Sequence, residues 1–115
     1  MWQPRQKLVD WQALLAARQQ AREDGNVVVW TSGCFDLLHP GHVASLQQAR
    51  QLGDLLVVGL NSDRSVRALK GPNRPILGER ERAALLAGME CVDFVIAFDE
   101  GHAPRRHWSG CSPIF

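Results

Sequence analysis

Three apolar runs, the first two each followed by stretches of helical spacing, organise this chain. Val27-Val28-Val29-Trp30, Leu55-Leu56-Val57-Val58-Gly59-Leu60 and Asp93-Phe94-Val95-Ile96-Ala97-Phe98 read as strands over 27–30, 55–60 and 93–98. The second is continuously apolar, which predicts burial on both faces of a parallel sheet. Ahead of the first run, residues 1–8 read as a loose arm. Asp10 is placed to cap a helix to residue 23, with Trp11, Leu14, Leu15 and Arg18 at helical spacing and Gly25 as its stop. A second helix is predicted over 42–52, ending at Gly53, and a fourth over 79–89. Between them, Ser62 or Asp63 caps a short helix through Leu69. Lys70-Gly71-Pro72-Asn73-Arg74-Pro75 must be loop, because two prolines and a glycine fall within it.

Strand and helix in alternation predict an α/β fold: a Rossmann-like parallel sheet with helices on both faces. Ligands of such sheets collect at the carboxyl ends of the strands. His39, His42, Asn61 and Lys70 all follow such an end, so one crevice is expected to hold them. No Gly-x-Gly-x-x-Gly follows the first strand, which argues against an ordinary dinucleotide domain. His39 and His42 instead stand where that strand hands over to a helix N-terminus. Backbone N–H groups and the helix dipole favour an anion there, and two imidazoles suit a phosphate whose charge grows during reaction.

Composition adds limits. The chain has 115 residues, 45% hydrophobic and 22% charged, with a net charge of +1, as expected of one small globular domain. Charges of both signs are interspersed, so no broad nucleic-acid face is expected. No apolar run reaches membrane-spanning length and the first residues lack a signal-peptide core, which makes the cytoplasm the default compartment. Cys34 and Cys91 read as reduced small fillers of a turn or core. Three cysteines do not make zinc spacing, and His102, His107 and Cys111 lack a fourth ligand and a scaffold, so no metal site is expected.

Gly33-Cys34-Phe35-Asp36-Leu37-Leu38-His39-Pro40-Gly41-His42 resembles the phosphate motif of the cytidylyltransferase-like nucleotidyltransferases, the His-x-Gly-His fold. The likeness covers residues 27–100. Within that family, Leu52-Gly53-Asp54, Asn61-Ser62-Asp63-x-Ser65-Val66 and Lys70-Gly71-Pro72-Asn73-Arg74-Pro75 look most like the adenylyltransferase of ADP-heptose synthesis. That activity is, in many bacteria, the second domain of a protein that also carries a sugar kinase.

The resemblance implies transfer of AMP from ATP, with Mg2+, to a heptose-type sugar 1-phosphate, releasing pyrophosphate. The alternatives are a cytidylyltransferase for an alcohol phosphate such as glycerol 3-phosphate, or a non-catalytic nucleotide-binding fragment. His39 and His42 would donate hydrogen bonds to phosphate oxygens, Gly41 would let the backbone approach the nucleotide, and Cys34 and Phe35 would contribute backbone and packing beside it. Lys70 is a cation for the triphosphate or the incoming sugar phosphate, and completes the catalytic set. Arg82 matches an arginine that faces phosphate in the family, whereas Arg80 has no match and is expected to be exposed. Asn61 and Asp63 either shape the nucleotide pocket or cap a helix. Asp36 is expected to hold the turn rather than a metal. Trp30 is expected to pack on a sheet face more than to stack on a base. The expected partners are ATP and a sugar phosphate, a second copy of the chain in a homodimer, or a sugar kinase domain encoded separately, with no nucleic acid and no membrane.

After Asp99-Glu100 the likeness stops. Relatives continue with a helix and further strands on the open side of strand one, so the C-terminal strands are expected to be missing and that edge unpaired. Residues 101–115 have neither helical nor strand periodicity. With suitable codons, the alternate reading frame of the tail yields a string ending Pro-Asp-Ile, like the family's next helix and strand entry. A non-family tail produced by a frameshift is therefore expected over 101–115.

Overall fold

The structure is a computed structural model and describes residues 7–99 and 113–114. The elements run α1 (Trp11–Glu23), β1 (Val28–Gly33), α2 (Pro40–Arg50), β2 (Leu55–Asn61), α3 (Asp63–Lys70), α4 (Glu79–Ala87), β3 (Phe94–Phe98) and β4 (Pro113–Ile114). The strands form one parallel sheet in the order β3-β2-β1-β4. The predicted Rossmann-like architecture is present.

Alternation of side chains across the pleat divides the core in two. On one face Leu56, Val58 and Leu60 of β2 pack with Val29, Val95 and the apolar residues of α2 and α4, Leu46, Ala49, Leu86 and Ala87. On the other, Val57, Trp30 and Ile96 pack with Leu14 of α1 and its half-buried neighbours Trp11 and Leu15. The continuous apolar run of β2 follows from this, since helices cover both faces. Trp30 is 3% exposed and its ring lies 6.3 Å from that of Trp11, so it belongs to the core, as expected, and not to a base-binding surface.

Ends of elements are where the structure departs from the sequence reading. Asp10 does cap α1, its carboxylate accepting from Ala13 N at 2.8 Å. Residues 7 and 8 of the expected arm are fastened: Leu8 bridges in parallel to Val95, and Lys7 Nζ donates to Met89 O. β1 runs on through Thr31, Ser32 and Gly33, because Val58, Gly59 and Leu60 offer partners in register. α2 begins at Pro40 rather than residue 42, with His39 as its N-cap. Pro is well suited to that first position, having no N–H to leave unsatisfied. Of the two residues proposed to cap α3, Ser62 does so. The edge of β1 expected to be bare is paired at two residues, Trp30 with Pro113 and Thr31 with Ile114. The remainder of the tail, including His102, His107 and Cys111, lies outside the described residues. Among the described residues, no helix is long and apolar enough to cross a membrane.

Candidate functional site

The turn from β1 into α2 is built around an unusual backbone. Phe35 has φ 48, the left-handed region that a bulky side chain seldom adopts. This reverses the chain directly after Cys34 and brings the Phe35 ring edge-on to His42, centroids 5.4 Å apart. Four residues on, His39 folds back on the helix it opens. Its Nδ1 accepts from Gly41 N at 3.0 Å, while His42 Nδ1 accepts from His39 N at 3.3 Å, a reciprocal capping box made of two imidazoles.

Gly41 is required by this arrangement. A Cβ at that position would lie 2.7 Å from His39 Cε1 and 3.0 Å from its Nδ1. The space expected to admit a nucleotide is thus occupied first by the His39 ring itself.

Capping and phosphate binding do not compete for the same nitrogen. A neutral imidazole has one acceptor and one N–H. Because both Nδ1 atoms accept from backbone N–H groups, both protons sit on Nε2, leaving two donors on rings 4.0 Å apart. The Gly41 N–H that a helix N-terminus would offer an anion is relayed through the His39 ring instead. Burial holds His42 below the usual imidazole range, and the proximity of His39 and Lys70 pushes the same way. His42 is therefore neutral at pH 7, with its cap intact.

The two rings line a crevice of about 960 Å³ together with Cys34, Phe35, Asp36, Lys70 and Arg74. Its floor continues along β1 and the near face of α2 through Thr31, Ser32, Ser45, Gln48 and Leu52. Lys70 reaches it from the last residue of α3, exposed and followed by Gly71 at φ 109, which turns the chain away from the helix. His39, His42, Lys70, Cys34 and Phe35 are thus brought together as the motif predicts.

Arg82, Asn61 and Asp63 are not among the lining residues. Arg82 is 0% exposed. It donates through Nε to Leu77 O at 3.0 Å, through Nη1 to Cys34 O and Asn61 O at 2.6 and 2.8 Å, and through Nη2 to Asp63 Oδ1 at 2.7 Å. The guanidinium expected to face phosphate ties together the ends of β1 and β2, the start of α3 and the loop before α4. Asn61 donates from Nδ2 to Ser65 Oγ at 2.9 Å, and Asp63 holds Arg82. Neither of them caps α3, which Ser62 does; their contacts are the bond to Ser65 and the grip on Arg82. Arg80 is exposed, as expected.

Asp36 holds the turn, and does so by reaching across the chain. Its Oδ1 accepts from Ile76 N and its Oδ2 from Arg74 Nη1, both at 2.7 Å. Burial by itself would raise its pKa. The Ile76 N–H, the Arg74 hydrogen bond and charge, and the Lys70 charge together outweigh that and hold the carboxyl below its ordinary range. Arg74 is the site residue that the sequence reading did not single out. Its only signal there was a second cation in the loop that follows Lys70. Among the described residues, no group of three or more His, Cys, Asp or Glu is arranged to hold a metal ion.

A parallel sheet with a crevice at the carboxyl end of its first strand, beside a strand-to-helix turn, defines this as an α/β domain of the doubly wound kind. The chain belongs to the cytidylyltransferase-like family, whose sequence model matches residues 30–106. It is 63% identical over 79 residues to the bifunctional protein HldE of Syntrophotalea carbinolica, covering 69% of this chain and 16% of that protein. With the HldE of Geotalea uraniireducens the identity is 58% over 94 residues, or 82% of this chain and 19% of the relative. The chain therefore spans less than a fifth of these curated relatives. A crystal structure of the lipopolysaccharide core biosynthesis protein from Thermoplasma volcanium aligns with a TM-score of 0.64 and 34% identity, covering 70% of this chain and 65% of that one.

Proposed function

We propose that this domain is a nucleotidyltransferase that transfers AMP from ATP to a heptose-type sugar 1-phosphate and releases pyrophosphate. The observation that carries the reading is the pair of Nε2–H donors of His39 and His42, fixed by their caps and facing one crevice with Lys70. A phosphate oxygen of the acceptor attacks the α-phosphorus of ATP, the bond to the bridging oxygen breaks, and pyrophosphate leaves. No protein nucleophile is required. The work is positioning and stabilisation of charge that grows on the phosphates. Preoriented neutral donors suit this, since they need no reorganisation when charge appears. Lys70 supplies the net positive charge, and Mg2+ enters as part of the ATP substrate.

The similarity to HldE proteins supports the heptose-type acceptor. That those relatives are named bifunctional is in keeping with a division of labour in which a second activity, here proposed as a sugar kinase in another domain or another chain, provides the sugar 1-phosphate. A homodimer is the assembly proposed by family analogy. The test is pyrophosphate release from MgATP or MgCTP, each offered a heptose 1-phosphate or glycerol 3-phosphate. Turnover confined to ATP and the sugar phosphate is expected. Preference for CTP with glycerol 3-phosphate would overturn the substrate assignment, and nucleotide binding with no release of pyrophosphate would leave a binding fragment.

A further inference from the structure

Lys70 and the two histidines come from parts of the chain far apart in sequence, and something must set the distance between them. The exposed side chain of Lys70 cannot do this alone. It ends α3, and the chain beyond it turns at Gly71 and closes a backbone bond from Arg74 N to Gly71 O at 3.2 Å. The loop then meets one group of the opposite wall, Asp36. That carboxylate is 5% exposed, sits directly after the left-handed Phe35 and lies three residues before His39. Each of its oxygens takes one donor from the loop, Ile76 N and Arg74 Nη1. A buried carboxylate with two charge-assisted or backbone donors is a strong, directional link.

We propose that Asp36 is a positioning residue that latches the 70–76 loop to the histidine turn, holding Lys70 and Arg74 as a paired cationic wall facing His39 and His42. Arg74 is suited to this because one Nη1 reaches Asp36 while its side chain remains 43% exposed along the crevice. The planar guanidinium has five donors, so the latch leaves others for an oxyanion. Direct readout of a phosphate by Lys70 then depends on Asp36, whose two oxygens are engaged by the loop. The effect on turnover rests on the nucleotidyltransferase reading above, whereas the latch itself does not.

The experiment uses the full chain carrying Asp36→Asn, Arg74→Ala, Arg74→Lys or the Asp36→Asn/Arg74→Ala pair. Amide hydrogen exchange at Ile76 reads the latch without any chemistry. Asp36→Asn is expected to speed that exchange by about tenfold, the size of one lost charge-assisted bond. In the pyrophosphate assay with MgATP, Asp36→Asn and Arg74→Ala are each expected to lower kcat about 100-fold, as small misplacements do. The double variant is expected to fall well short of the product of the two single losses, because both remove the Arg74–Asp36 link. Arg74→Lys, which keeps the charge, is expected to recover part of the loss. Should Asp36→Asn fail to fold, Arg74→Ala at its half-exposed site carries the same comparison. Unchanged Ile76 exchange, or losses that multiply in the double variant, would overturn the latch. Absence of pyrophosphate release in every form, wild type included, counts against the proposed reaction, and the exchange rates still decide the latch.

Discussion

In the proposed reaction His39 and His42 each have two tasks, one for each edge of the ring. Nδ1 completes the N-terminus of α2, and the rings line the crevice, where Nε2–H is the donor proposed for phosphate. The tasks separate by substitution. His39→Asn and His42→Gln retain an acceptor for the caps and are expected to keep the melting temperature close to wild type. Both lose the ring donor, so turnover is expected to fall about 100-fold or more. His39→Ala loses cap and donor together and adds about 1 kcal/mol of destabilisation. Unchanged turnover in all three would remove the motif from the mechanism. Gly41→Ala is a sharper probe, since its Cβ meets only the His39 ring at 2.7 Å. The ring is expected to swing out of its cap, giving a folded protein with much reduced turnover and a His39 that no longer protects the Gly41 amide from exchange. Lys70→Ala is expected to raise the Michaelis constant for ATP or the sugar phosphate. Stability should stay within about 0.5 kcal/mol of wild type, as befits an exposed side chain. A large stability loss would make Lys70 structural.

The strands and helices carry fewer surprises than the turns between them. α1, β2 and α3 begin where apolar periodicity and capping residues predict, because those signals are local and each element buries the face its pattern marks. The extension of β1 through Thr31-Ser32-Gly33 could not be read from composition. It exists because β2 supplies register partners for all three. Gly59 shows how closely the two strands are fitted: a Cβ there would fall 2.3 Å from Trp30 Cζ2 and 3.0 Å from Phe98 Cε1. With Trp30 held between Trp11 and Phe98, the indole has nowhere to move. Gly59→Ala is therefore expected to destabilise the chain by about 1–3 kcal/mol through overpacking. Thermal denaturation checks this, and a melting temperature equal to wild type would show that the indole can shift.

Ionisable groups distributed over the molecule set a pH window for its stability. Asp36 and His42 both titrate lower in the folded chain than their ordinary values of 3.8 and 6.5. In each case the unfolded chain binds more protons just below the ordinary value, so stability is lost as pH falls. His42 contributes from pH 6.5 downward and Asp36 from 3.8 downward. Cys91 is shifted the other way by burial, above its ordinary 9.0, so its contribution is lost as pH rises past that value. The melting temperature is expected to be highest between these limits and to begin falling below pH 6.5. A His42 resonance titrating above 6.5 by NMR would contradict the burial that shields it and the acid side of the window.

Residue order by itself determined the α/β class, the parallel sheet, the helix starts at Asp10 and at Ser62 or Asp63, and the gathering of His39, His42 and Lys70 at one crevice. These follow from short-range periodicity, capping chemistry and the rule that parallel strands present their carboxyl ends together. Tertiary structure decided which charged residues face that crevice. Arg82 and Arg74 look alike in a string of letters, each an arginine between the second and third strands. Only packing shows Arg82 fully enclosed by four oxygen acceptors from three segments, and Arg74 held at the rim by a carboxylate 38 residues away. The same holds for the edge of β1, whose two-residue pairing with Pro113 and Ile114 joins positions no local pattern connects. Burial and long-range partnership depend on how elements stack, and stacking is a property of the assembled core rather than of any window along the chain.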